Sequence, residues 1–252
     1  MRFKRGQVTI FIIIAIVIVA LIVIGFLVFP KIKTNLGLGG TSPSLFIQTC
    51  LQDTIKNTVQ EISLHGGSVE PRFSILHDNE KVEYLCYTSE YYKTCIVQQP
   101  MLKPHIENEI KTDIEDETKD CFDSLEENYR RQGYEVNLKR TTMNVELLPK
   151  RVVANFNYTL TLTKVDTQRY ESFSVVLNNN LYELTGIANS IVEWETTLGN
   201  ADTSTYMTYY TDLKVEKKIK SDGTKVYIIT DLNTGNKFQF ASRSQVLPAG
   251  YD

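Results

Sequence analysis

Four cysteines, three histidines and a run of ten acids are the residues of this chain best suited to chemistry. A metal site needs three or four convergent ligands, usually announced by spacings such as CxxC or HExxH. Neither spacing occurs, and His65, His77 and His105 lie scattered among Cys50, Cys86, Cys95 and Cys121. The sequence therefore predicts no metal and no cofactor. Hydrolysis would need a nucleophile beside a base, with a loop to stabilise the oxyanion. His65-Gly66-Gly67-Ser68 offers those residue types around a glycine pair, but no GxSxG elbow accompanies it. Neighbours in sequence rarely reach triad geometry, so glycines that end a helix are the simpler account. No catalytic residue is predicted.

Glu107 to Glu127 carries ten acids against two lysines, a charge of minus 8. Calcium would require those acids to be looped around one point, whereas helical spacing spreads them around a solvated face. Two groups of tyrosines remain: Tyr84, Tyr87, Tyr91 and Tyr92, and further on Tyr206, Tyr209 and Tyr210. Clustered aromatic rings would stack on a glycan or a protein partner. Asn157-Tyr158-Thr159 is the one N-glycosylation acceptor pattern, and strand alternation turns Asn157 away from Phe156 and Tyr158.

The elements that must position these residues begin with the strongest signal in the chain. Val8 to Phe29 is a run of 22 positions without a charge, 18 of them Ile, Val, Leu or Phe. As a helix it spans roughly 33 Å against a hydrocarbon core of about 30 Å, and insertion gains on the order of 5 to 9 kcal/mol. It is longer than the apolar region of a cleaved secretory signal, which predicts a retained anchor. Arg2, Lys4 and Arg5 precede the run and only Lys31 and Lys33 follow closely, so the N-terminus is expected in the cytoplasm. All four cysteines then fall on the far side, where disulfides form. Beyond residue 29 the chain holds 24 Lys and Arg against 30 Asp and Glu, a net charge of minus 6. That balance argues against nucleic acid and against docking on anionic lipid.

The stretch Lys4 to Ile14, KRGQVTIFIII, resembles the archaeal class III signal of type IV prepilins. The resemblance implies cleavage between Gly6 and Gln7 by a membrane-embedded peptidase that leaves the apolar helix in place. Such pilins usually carry Glu at the fifth mature position, where this chain has Phe11. Pro30 and the glycines Gly37, Gly39 and Gly40 also break the helix that a pilin commonly continues. An ordinary single-pass anchor is therefore expected in preference to a filament subunit. Thr49 to Gly67, Gln132 to Val136 and Ser221 to Gly235 together resemble a set of uncharacterised archaeal single-span proteins, a likeness that bears on location and fold only.

Past the linker, Ser42-Pro43 starts a helix whose apolar positions Ile47, Leu51, Ile55, Val59 and Ile62 run to Gly66-Gly67, with Cys50 beside the buried stripe. A second helix follows Pro104 through Ile106, Ile110, Ile114, Cys121 and Leu125 to about Tyr129. Between them, Glu83 to Val97 reads as a hairpin with Cys86 and Cys95 on either side of Ser89-Glu90. Of three connectivities, Cys86 with Cys95 and Cys50 with Cys121 is the one these elements favour.

From Gly133 the period changes to two. Val145 and Leu147 lead across Pro149-Lys150 into one long strand, Val152 to Leu162, followed by a strand from Tyr170 to Leu177. Leu181 to Gly199 reads as a helix with one polar break in its stripe, at Glu195, and the remainder as a meander over 215–219, 226–230 and 238–242 with turns at Asp222-Gly223 and Thr234-Gly235.

The expected fold is α+β: an N-terminal transmembrane helix followed by an antiparallel-strand ectodomain with about three helices. Its parts are a basic flank and span (1–29), a Gly/Pro linker (30–42), a disulfide-stapled region (43–132) and a β-rich region (133–252). The expected location is the cell membrane, single-pass, with the C-terminal domain outside the cytoplasm. The expected work is non-catalytic, in interaction, adhesion or envelope organisation, ahead of a pilin-like subunit or an extracytoplasmic enzyme. The expected partners are the lipid bilayer and a protein or glycan at the surface, with self-association into a homo-oligomer as a further option.

Overall fold

The computed structural model describes residues 42–246 and the single residue Val19. Val19 apart, the expected transmembrane run, the Gly6 and Gln7 processing pair and the linker before Ser42 lie outside the described residues. Among the described residues no helix is long and apolar enough to cross a membrane. The chain divides into two units after Ser42, and the second is an α+β domain. Its described part holds five helices rather than about three, and every strand pairing but one is antiparallel.

Helix α1 spans Pro43–His65, with Pro43 in the first turn, where its missing N–H costs nothing. Ile47, Leu51, Ile55, Val59 and Ile62 recur every three or four residues and all are buried. The helix stops where Gly66 and Gly67 adopt φ of 87° and 115°. A Cβ on Gly66 would sit 3.0 Å from Glu83 Cβ, so both the angle and the close approach demand glycine.

The single helix expected after Pro104 is two helices, α2 (Leu102–Asp113) and α3 (Glu115–Arg131). Ile114 between them has φ −87° and ψ 3°, yet it still donates to Ile110 O and accepts from Thr118 N. The buried stripe runs on through Ile110, Ile114, Thr118, Phe122 and Leu125. The bend lets α2 pack on α1 and a strand of the following meander, while α3 lies on α1. Thr58 of α1 donates at 2.6 Å to Asp113 at the bend, a long-range contact that no local pattern announces.

Strands β1 (Ser74–His77) and β2 (Glu80–Tyr87) form a hairpin absent from the sequence expectation. Its two-residue turn, Asp78 and Asn79, has positive φ at both positions (50° and 71°), which Asp and Asn tolerate better than most side chains. β3 (Ile96–Val97) pairs with the far end of β2 across the loop that holds Cys95.

The strand expected over Val152 to Leu162 is divided, and two neighbouring segments break beside it. β4 (Glu135–Lys139) and β5 (Met143–Leu148), β6 (Arg151–Phe156) and β7 (Thr159–Thr163), and β8 (Thr167–Tyr170) and β9 (Phe173–Asn178) form two three-stranded sheets, β4-β7-β8 and β5-β6-β9. All three breaks fall at one level, so a single meander bends across its width, with Asn157 N bonded to Thr142 O at the bend. Alternation survives it: Phe156 and Leu160 are both fully buried.

Helix α4 covers Leu181–Leu198 and ends on Gly199 at φ 75°. A short helix α5 (Thr203–Tyr209), not expected, starts where Asp202 accepts from Ser204 N. Strands β10 (Leu213–Ile219), β11 (Lys225–Asp231) and β12 (Lys237–Arg243) follow as the expected meander. β12 then lies parallel to β2, so the 43–132 and 133–252 regions share one sheet and interlock.

Cys50 is joined to Cys121 and Cys86 to Cys95, with Cα separations of 6.1 and 5.3 Å. The first bond ties α1 to α3 across 71 residues, for which loop entropy gives about 4 kcal/mol. Cys50 sits on the exposed side of α1 beside its stripe, while Cys121 is buried.

The polar break in the α4 stripe is Glu195, which is 0% exposed. Lys225 Nζ of β11 lies 3.2 and 3.1 Å from its two carboxylate oxygens and also donates to Gly199 O. Tyr227 OH and Ser242 Oγ donate to the same carboxylate, as does Ala201 N at 3.3 Å. Burial, with the Glu195 charge beside it, pushes the Tyr227 phenol far above its ordinary value. Removing one ion strands the other, so Glu195→Ala or Lys225→Ala is expected to cost about 3–5 kcal/mol in urea unfolding, with the Glu195→Met/Lys225→Met pair costing less. The raised Tyr227 value means that stability is present below the ordinary tyrosine range and is lost as pH rises through it. Tyr227→Phe should flatten that alkaline loss, measured by circular dichroism against pH.

Candidate functional site

The residues singled out in the sequence reach different ends of the domain. Ser68 does not pair with His65. Its hydroxyl donates to Glu83 Oε2 of β2 at 2.5 Å and lies 2.8 Å from Nε2 of His105 on α2, 37 residues away. Ser68 Oγ thus bridges Glu83 and His105. Ser68 is also buried. His65 instead contacts Val69 O at 2.9 Å and Glu80 at 3.1 Å, and Glu109 accepts from Val69 N. The cluster staples the end of α1 to β2 and α2. His77 stands apart, with Nδ1 3.3 Å from Lys220 Nζ.

Among the described residues no three His, Cys, Asp or Glu side chains converge on a metal-sized point. The acids of 107–127 are dispersed over α2 and α3: Glu107 accepts from Leu147 N, Asp123 pairs with Arg140, and Glu127 pairs with Arg131. Asn157 is exposed at the meander bend, with its amide donating to Thr142 Oγ1.

The first tyrosine group does not form one surface. Tyr84 is buried, stacked on Phe73 at 4.7 Å and hydrogen-bonded to Thr224, so its ring has no free face to offer a partner. Tyr87 is half-buried under Arg243. Tyr91 and Tyr92 are exposed on the loop closed by the Cys86–Cys95 bond.

The second group lines a cleft of about 630 Å³ enclosed by α4, α5 and the end of the β10–β11 hairpin. Tyr206 forms part of its wall, buried, with its hydroxyl 2.8 Å from Ser190 Oγ. Tyr209 and Tyr210 stand at the rim, 79% and 55% exposed. Leu184, Ile187 and Leu213 add apolar wall, and Glu183, Asp212 and Asp231 face one lysine, Lys150. Two of the three acids are held by the backbone. Lys150 N donates to Glu183 at 3.0 and 3.3 Å, while Asn233 N and Thr234 N donate to Asp231 at 2.9 and 2.8 Å. Asn180 Nδ2 holds the other Asp231 oxygen at 2.8 Å. The tyrosines were visible in the sequence. Their companions arrive from four separate segments and carried no spacing to find them by.

Comparison of the chain with family models, curated proteins and solved structures returns no match.

The Ser68 cluster generates a pH test. Burial raises the Glu83 carboxyl above its ordinary value, opposed by the Ser68 hydrogen bond and the nearby His105. A raised folded value makes its contribution complete at low pH and lost as pH rises through that value. Glu83→Gln is expected to flatten the mildly acidic arm of stability against pH. Ser68→Ala should cost about 1–3 kcal/mol by chemical denaturation, because it leaves buried groups unpaired.

Proposed function

We propose that this chain is a membrane-anchored extracytoplasmic protein with a non-catalytic surface role in interaction, adhesion or envelope organisation. The observation that carries the reading is the pairing of all four cysteines within the folded domain. Disulfides persist in oxidising compartments, and the charge-free run Val8–Phe29 with its basic N-terminal flank supports a topology that delivers the domain there. The acidic excess beyond residue 29 supports a partner other than nucleic acid. Ser68, buried and held between Glu83 and His105, is a junction of the fold in this reading.

A pilin-like subunit is the second reading, favoured by the KRGQVTIFIII segment, which would be processed between Gly6 and Gln7. N-terminal peptide mapping of the membrane-extracted protein, with and without reductant, separates the two. Met1 or Arg2 at the terminus is expected for the anchor, with peptides bridging Cys50 to Cys121 and Cys86 to Cys95 only before reduction. Gln7 at the terminus, with recovery in filaments, would establish the subunit instead. Recovery in soluble cytosol with four free thiols would refute both.

A further inference from the structure

Gly186 is an unforced glycine inside helix α4. Glycine in a helix interior costs about 1 kcal/mol relative to alanine, so its use there calls for a reason. Packing supplies none: a Cβ built on Gly186 would meet no atom within 4 Å, and its φ is not in the left-handed region. Gly186 is exposed, and it lines the cleft of about 630 Å³ together with Tyr209 and Tyr210. A bare helix backbone facing a cleft is where a ligand can approach closely.

The chemistry of the walls selects the ligand. Tyr209 and Tyr210 are largely exposed and offer aromatic faces to C–H groups. Glu183 and Asp231 are oriented by backbone N–H donors, and the lone pairs left over are fixed acceptors that need no reorganisation on binding. Asp212, Thr211 and Ser190 add polar groups around the same space. Three carboxylates against Lys150 repel anions. Because two of those carboxylates are already partnered by donors, the cleft is better matched to hydroxyl donors than to a bare cation. Alternating C–H faces and hydroxyls describe a sugar, and the volume exceeds one hexose ring.

We propose that this cleft binds a short neutral oligosaccharide, stacked on Tyr209 and Tyr210, with its hydroxyls donating to Glu183, Asp212 and Asp231. The proposal rests on the extracytoplasmic reading, since it gives the surface protein a glycan to meet outside the cytoplasm.

The test uses the full chain in a zwitterionic detergent, because a sugar-headed one would compete. Maltotriose, N,N′,N″-triacetylchitotriose and mannotriose are titrated by calorimetry, with trigalacturonate and tetramethylammonium as the anionic and cationic probes. Saturable binding of at least one neutral trisaccharide is expected, without binding of trigalacturonate. Tyr209→Ala and Tyr210→Ala should each weaken it by roughly tenfold. Gly186→Leu should abolish it while leaving the melting temperature unchanged or higher, because the new side chain stands in the sugar's place on that wall of the cleft without meeting protein. Binding of tetramethylammonium alone, no binding of any neutral probe, or neutral-sugar binding that survives Gly186→Leu would each overturn the assignment. A cytosolic location would refute the extracytoplasmic reading while leaving the titration to judge the cleft by itself.

Discussion

A carboxylate cannot sit at zero exposure without partners, and Glu195 recruits them from three segments of the chain. Lys225 and Tyr227 come from β11, Ser242 from β12, and Ala201 N from the turn after α4. Ser244 then bonds the Glu195 carbonyl and accepts from Cys95 N, so the Cys86–Cys95 loop hangs on the same point. Such a pair in the dry interior adds little net stability over an apolar replacement, because desolvation offsets most of the attraction. Its effect is on geometry. With donors on every side, the end of α4 has one angle at which it can lie on the large sheet, and the strands beneath it have one register.

The opposite half of the domain is held by different means. There the apolar stripe of α1 packs on α2, α3 and β9, the Cys50–Cys121 bond crosses from α1 to α3, and Ser68 joins Glu83 to His105 at the exit. Gly66 and Gly67 let the chain pass closely enough for that junction to form. The outcome is a domain braced at both ends, in which α4 serves two purposes. Its buried stripe, Leu184, Ala188, Ile191 and Glu195, anchors it, while Gly186, Ile187 and Ser190 line the cleft. A cleft on a helix fixed from behind keeps its polar groups in place before a ligand arrives, which lowers the ordering cost of binding.

Much of this was legible from local pattern. Ser42-Pro43, the 3.6-residue stripe and Gly66-Gly67 delimit α1 because helix ends, apolar periodicity and left-handed glycines are properties of neighbouring residues. The β10 to β12 meander is announced by its Gly turns for the same reason, and the disulfide pairing followed once the cysteines were assigned to two helices and one hairpin. The β1–β2 hairpin and α5 are short local elements that the pattern did not single out, while three other misses share a cause. The bend at Ile114, the shared break in the meander and the parallel pairing of β12 with β2 arise from contacts between segments far apart in sequence, and none leaves a periodic trace.

The sequence by itself determined which residues form most elements, that an apolar run of membrane length precedes them, and which cysteines could meet, since each depends on composition and near-neighbour spacing. Only the tertiary structure decided that the polar break at Glu195 is a buried anchor, that Ser68 belongs with His105 rather than His65, and that Tyr206, Tyr209 and Tyr210 share a cleft with Glu183, Asp212 and Asp231. The first two turn on partners 30 and 37 residues apart and the third on segments that only the fold brings together, and a side chain's desolvation and hydrogen-bonding are set by what packs against it in space.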